Sequence, residues 1–408
     1  MFNRRHWIPP GALVFAQIAH GASWAILAWA AFSGPSWTID GIAIGWIHTV
    51  ALGWATTTAL AVLVHVIPQF TDARWRFEPL ARRSVFAFGA GVVLFVAAAL
   101  ARPESLAVGA TLALLALLAY LVAAFSTLAQ ALHGERVERA IARAFIATLL
   151  FLLLAALAGA ALAGMFSGMP TPGWVAALPA AHADFGIFGW LSLLIFGVSA
   201  RTVRPIAGHK SRFGFLHIAV GSLCLLGVVL LAIGLAAVPA LTWPGAILFA
   251  LGALAYAFDI VDIVRRATVP HRVPQAFLLA GTGWLLVGLA LGAGVLAGRP
   301  WQLAYGFVLL GGWVGQMIDA HVYHIGVRLL LTIYRGEDDE TRPQAVLDPR
   351  LTWTSFVAFQ CAVACSAAGL LTHGATLVSA GAVLGICGWV ATVAALALAR
   401  ARAAAAPS

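Results

Sequence analysis

Seven of the chain's twelve histidines sit where a polar side chain is expensive. His20, His48, His65, His182, His217, His321 and His324 fall within or at the ends of long apolar stretches. Polar groups in such places face the interior of a helix bundle, where they pair with one another or hold something. Neutral imidazole is a good ligand for haem iron and for copper, so the chemistry this set points to is cofactor or metal binding. Two histidines from facing helices at one depth would hold an iron axially. Asp319 lies two residues before His321 and would orient that ring if the chain bends there. The competing account of any single histidine near the end of an apolar stretch is a bond to interfacial water or to a backbone carbonyl.

The elements that must position these residues are membrane helices. Of 408 residues, 62% are hydrophobic and 10% charged, more apolar surface than a soluble chain of this length encloses. The apolar runs are about 20 residues each, enough to cross roughly 30 Å of hydrocarbon at about 1.5 Å per residue. Helices satisfy their own backbone in lipid, and strict alternation, the mark of a barrel, is absent. Spans are expected at 11–33, 42–68, 84–101, 106–132, 140–166, 181–203, 213–237, 243–265, 274–297, 301–333, 351–372 and 376–400. The expected fold class is thus all-α integral membrane, one transmembrane domain over 1–408. The split of 84–132 in two rests on Arg102-Pro103-Glu104.

Charge tests that count. With loops assigned alternately, 22 of the 24 Lys and Arg residues fall on one side, and Arg102 and Arg299 alone on the other. The positive-inside rule puts the rich side, with both termini, in the cytoplasm, and the chain in a bacterial-type inner membrane as a multi-pass protein. The basic start resembles a signal peptide, but no small-residue cleavage site follows and His20 and Trp24 interrupt the run, so a retained first span is expected. The net charge of +9 is spread over loops without a stacked patch, which argues against nucleic acid. The expected partners are the lipid bilayer and other membrane or cytochrome subunits. Cys224, Cys361, Cys365 and Cys387 all lie in spans without metal or redox spacing and read as packing. The acidic run Glu337-Asp338-Asp339-Glu340 reads as a solvated turn, and Asp259 and Asp262 as interfacial partners of Arg265-Arg266.

A weak internal repeat is visible. Spans 2, 6 and 10 carry Gly53-Trp54, Gly189-Trp190 and Gly312-Trp313. His182 and Tyr305 lie eight residues before the tryptophan and His48 six before; His65, Arg201 and His324 lie eleven after. A repeat every four spans suggests threefold pseudo-symmetric arcs of four helices. Span direction then sorts the histidines by depth. His48 and His182 form an outer layer, His65, His217, His321 and His324 an inner one, and His20 lies near mid-depth. His48 and His65 are 17 residues apart, about 25 Å along one helix, and cannot bind the same metal.

These segments resemble a known family. His48-Thr-Val-Ala-Leu-Gly-Trp54, followed by Val64-His65-Val-Ile-Pro68, resembles span 2 of haem-copper oxidase subunit I, in particular the cbb3-type oxidases and their shorter relatives. His182-Ala-Asp-Phe-Gly-Ile-Phe-Gly-Trp190 resembles span 6, and Phe215-Leu-His217 the start of span 7. His321-Val-Tyr-His324-Ile resembles the shorter relatives. The resemblance implies a haem b ligand at His48 and a copper ligand at His182, with His217 a further copper candidate; His20, His65, His321 and His324 are the remaining haem candidates.

The departures bear on function. The outer half of span 7 lacks the family's His-His pair, and the outer end of span 10 holds Trp301 and Tyr305 where the family has His-x-His. His321 and His324 lie about 24 Å deeper than that level. The expectation is a haem-binding membrane protein with a degenerate copper site, in respiratory-type electron transfer or in O2 or NO binding or reduction. Whether it is an enzyme stays open. The alternatives are a membrane transporter or assembly factor for copper or haem, and a scaffold subunit that has lost its cofactors.

Overall fold

The computed structural model describes residues 9–34, 38–270, 272–336 and 338–405. Arg4, Arg5, His6, His271 and Glu337 lie outside the described residues. Among the described residues every regular element is helical, and twelve helices are long and apolar enough to cross a membrane. They are α1 Pro10–Phe32, α2 Gly41–Thr71, α3 Glu78–Ala101, α4 Pro103–Ala131, α5 Arg136–Phe166, α6 Pro179–Ala207, α7 Gly214–Ala236, α8 Pro239–Arg265, α9 Arg272–Leu296, α10 Gln302–Arg335, α11 Pro349–Thr372 and α12 Ala375–Ala404.

Local sequence explains the ends. The split between α3 and α4 falls at Arg102, and Pro103, which lacks an N–H, takes the first position of the next helical segment, where none is needed. α5 opens on a capping box made by Glu135 and Glu138. α6 ends on Gly208, whose φ of +80° favours glycine. α2 and α6 outrun their expected ends at 68 and 203 by about a turn, reaching Thr71 and Ala207. Hydropathy registers only the apolar stretch; the added turns carry Gln69 and Arg204.

Three of the neighbouring pairs, α3/α4, α7/α8 and α11/α12, are packed far more extensively than the rest. Each is joined by one or two residues, and each uses glycine to bring backbones together. A Cβ added at Gly91 would lie 2.5 Å from the backbone nitrogen of Ala113, one at Gly227 2.6 Å from that of Phe249, and one at Gly369 2.7 Å from that of Val378. Such close approach is how helices gain packing where lipid supplies no hydrophobic drive. These hairpins recur every fourth helix.

The long helices between them share a second feature. α2, α6 and α10 each contain a π-helical stretch, Thr49–Thr56, Phe185–Ser192 and Val308–Val314, and each stretch carries one of the Gly-Trp pairs. A π turn adds a residue to the helical repeat and re-aims every side chain beyond it. The stretches are linked. Trp190 donates its indole N–H to Thr56 Oγ1 at 3.0 Å, and Trp313 donates to Ser192 Oγ at 3.0 Å. In both cases the acceptor is the hydroxyl two residues past the Gly-Trp of the preceding stretch. The residue at that position in α10 is Gly315, and the six-membered ring of Trp54 covers it. The buried indole N–H of Trp54 has no acceptor. Trp190→Phe is therefore expected to cost about 0.6 to 1.7 kcal/mol, the range for hydrogen bonds between membrane helices, and Trp54→Phe less. Unfolding titrations of the two variants in mixed detergent check this.

Among the described residues, the hairpin turns at Arg102, Val238 and Gly374 fall in the set of loops poor in Lys and Arg. At the basic end Asp262 pairs with Arg266 at 2.6 Å and also with Arg212, while Asp259 accepts from Ser211 Oγ at 2.5 Å. The acidic run is less free than its composition suggests. Asp339 accepts from the backbone N–H of Thr341 at 2.6 Å and lies 3.7 Å from Arg335.

Candidate functional site

The structure brings His48 and His182 together. Their ring centroids are 6.0 Å apart and their planes lie within 18°. His48 is the last residue before the π stretch of α2, and His182 lies three residues before that of α6, so both are set by the turn that precedes the distortion. The Nδ1 of His48 lies 2.8 Å from the carbonyl oxygen of Ile44, and the Nδ1 of His182 2.9 Å from that of Ala155 in α5. A carbonyl only accepts, so both Nδ1 atoms carry the hydrogen and both Nε2 atoms keep the lone pair. This is the usual arrangement of a metal-binding histidine, fixed through its other nitrogen.

The walls fit the rings closely. Gly159, one turn beyond Ala155 in α5, leaves the space His182 occupies: a Cβ there would come within 2.8 Å of His182 Cε1. Phe95 of α3 packs on His48 with centroids 4.8 Å apart. Two residues beyond His182, Asp184 is 3% exposed and both its carboxyl oxygens are buried without a partner. The sequence displays this carboxyl in the His182-Ala-Asp184 motif, but only burial marks it out. Tyr305, the repeat counterpart of His182, packs against Phe188 of α6, with centroids 6.5 Å apart.

The other histidines are dispersed. His321 has both ring nitrogens engaged: Nδ1 donates to Met317 O at 2.6 Å, and Nε2 accepts from Thr202 Oγ1 of α6 at 2.8 Å. His324 lies within a π turn, Val322–Gly326, that begins directly after His321. His324 is half-buried and His65 is buried. His217 is exposed in the first turn of α7, at the basic end. His182 is near the start of α6, a helix length away, roughly 30 Å by helical rise; the two copper candidates cannot share one ion. His20 is buried near the middle of α1, stacked on Trp54.

Among the described residues no group of three or more His, Cys, Asp or Glu side chains is placed to hold a metal ion. The His48–His182 pair is a two-donor site. An imidazole nitrogen lies roughly 1 Å from its ring centre and bonds a metal at about 2 Å, so two rings on opposite sides of one ion would sit about 6 Å apart. The observed 6.0 Å fits that separation. His321→Ala is expected to loosen the α6–α10 contact by about 0.6 kcal/mol and to leave any metal content unchanged, as measured by metal analysis of the purified variant. Compared with known proteins, the chain matches no protein-family model and no curated protein.

Proposed function

We propose that this is a haem-binding membrane protein of the haem-copper oxidase subunit I type, in which His48 and His182 would together hold one haem b. The single observation that carries the reading is the pair itself: two imidazoles from different helices, each bonded at Nδ1 to a backbone carbonyl, with ring centroids 6.0 Å apart. The family resemblance assigns these two histidines to different centres, one haem and one copper. Their proximity supports a shared one instead.

A haem held by two histidines would favour one-electron transfer over binding of O2 or NO. The protein's part is to fix the ligand rings, through Ile44 and Ala155, and to exclude water with Phe95 and the α5 backbone. The glycine hairpins and Gly-Trp π stretches recurring every four helices support a threefold pseudo-symmetric bundle. The charge division supports cytoplasmic termini and a bacterial-type inner membrane. Other membrane or cytochrome subunits would supply and take the electrons.

A dithionite-reduced minus oxidised spectrum of the detergent-purified protein tests the reading. It is expected to show the bands of a six-coordinate b-type haem. A spectrum without haem bands overturns it, and stoichiometric copper in such a preparation would favour the copper-transport alternative.

A further inference from the structure

A separate cavity lies among α1, α2, α10 and α11, and it does not involve the His48–His182 pair. His20 forms one wall. Its ring is clamped between Trp54, at 3.5 Å with planes within 6°, and Phe359 of α11, at 5.2 Å. Trp24 donates its indole N–H to His20 Nε2 at 3.1 Å. An indole nitrogen only donates, so Nε2 accepts and Nδ1 carries the hydrogen. That Nδ1 is buried and has no acceptor. The same holds for the indole N–H groups of Trp46 and Trp54, and Oδ1 of Asp319 has no donor.

All four residues line the same cavity, of about 10 Å³. His20, Trp54 and Asp319 are each 2% exposed or less. A single unpaired buried polar group is rare in a native protein; four around one cavity indicate that something polar belongs there. The groups define what it is. Three N–H donors require lone pairs, and the carboxyl requires a partner that also exchanges hydrogen. A cation would meet three N–H dipoles, and an apolar gas would satisfy none of the four. A cavity this size admits about one water, and a water with two to four polar partners is stable in such a place.

The lining residues include no Lys or Arg, and His20 is the only other titratable group among them. Gln316 of α10 is held by Gln360 of α11, whose amide donates to it at 2.6 Å. A buried carboxyl without a cationic partner keeps its proton and is the natural place for proton exchange in a membrane interior. Access is also built in. A larger apolar cavity, about 70 Å³, runs from this one toward Asp40 at the basic-poor end. The two share Trp46 and Phe307, whose rings stack with centroids 5.3 Å apart and form the partition.

We infer that this cavity is a mid-membrane proton-exchange site, in which water bridges Asp319 to the N–H groups of His20 and Trp54. Asp319 gives its proton to that water and receives one back, so the exchange moves no net charge. Trp46 controls access from the Asp40 side.

Infrared spectroscopy of the full-length protein in proteoliposomes tests this. A carboxyl C=O band is expected that disappears in Asp319→Asn, persists in Asp184→Asn and shifts in Asp319→Glu. Transfer to D2O should shift the band within minutes, and faster in Trp46→Ala. Should Asp319→Asn fail to fold, the displaced band in Asp319→Glu makes the assignment. The inference is overturned if no carboxyl band follows the Asp319 variants, if the band is unmoved after hours in D2O, or if Trp46→Ala leaves the rate unchanged.

Discussion

Replacing either His48 or His182 with alanine is expected to remove the haem from the purified protein. Each ring is held by one backbone bond, and under the proposal each would help hold the haem. Altering even an outer partner of a metal ligand typically costs about 10–100-fold in affinity, and deleting the ligand costs more. Haem absorbance per polypeptide should therefore fall toward baseline in both variants. It should be retained in His65→Ala, His217→Ala and His321→Ala, because those residues lie elsewhere and His321 is already bonded to Met317 and Thr202. Gly159→Leu should reproduce the loss without touching a ligand, since its side chain would occupy the space of the His182 ring. Absorbance of each purified variant at equal protein concentration decides the matter.

A large structural effect is expected at Gly91. A Cβ there would lie 2.5 Å from the nitrogen and 2.8 Å from the Cα of Ala113, and backbone cannot rotate away as a side chain can. Gly91→Ala should force α3 and α4 apart at a cost of about 1–3 kcal/mol, and Gly91→Leu should prevent recovery of folded protein. Gly283, with nothing within 4 Å of an added Cβ, is the control whose alanine variant should be neutral. Size-exclusion recovery and detergent unfolding of the three variants measure this.

The twelve helices were legible because each must hide its backbone from lipid and announces itself by about 20 apolar residues. The split at Arg102-Pro103 was legible because a charged residue and a proline, which suits a helix start, interrupt the apolar run there. The π stretches were not, since no residue type encodes them; Gly53-Trp54, Gly189-Trp190 and Gly312-Trp313 marked their places without revealing their geometry. That is also why the site was half visible. Depth along each helix put His48 and His182 in one layer. Rotation about the helix axes, which decides whether the rings meet, depends on neighbours such as Ala155 and Gly159 in α5, far off in sequence. His321 shows the reverse case. Its second nitrogen lies 2.8 Å from Thr202 Oγ1, 119 residues away, a contact that no local pattern displays. Asp184 and Trp46 drew no attention in the sequence, because only burial without a partner distinguishes them.

The claim that one iron is shared by His48 and His182 is tested most directly by counting. Iron, copper and protohaem should be determined per polypeptide in the detergent-purified protein, alongside the His48→Ala/His182→Ala double variant. The account predicts iron and protohaem equimolar with the wild-type chain, no stoichiometric copper, and neither iron nor haem in the double variant. Wild-type protein free of haem, or haem retained in full by the double variant, would contradict it.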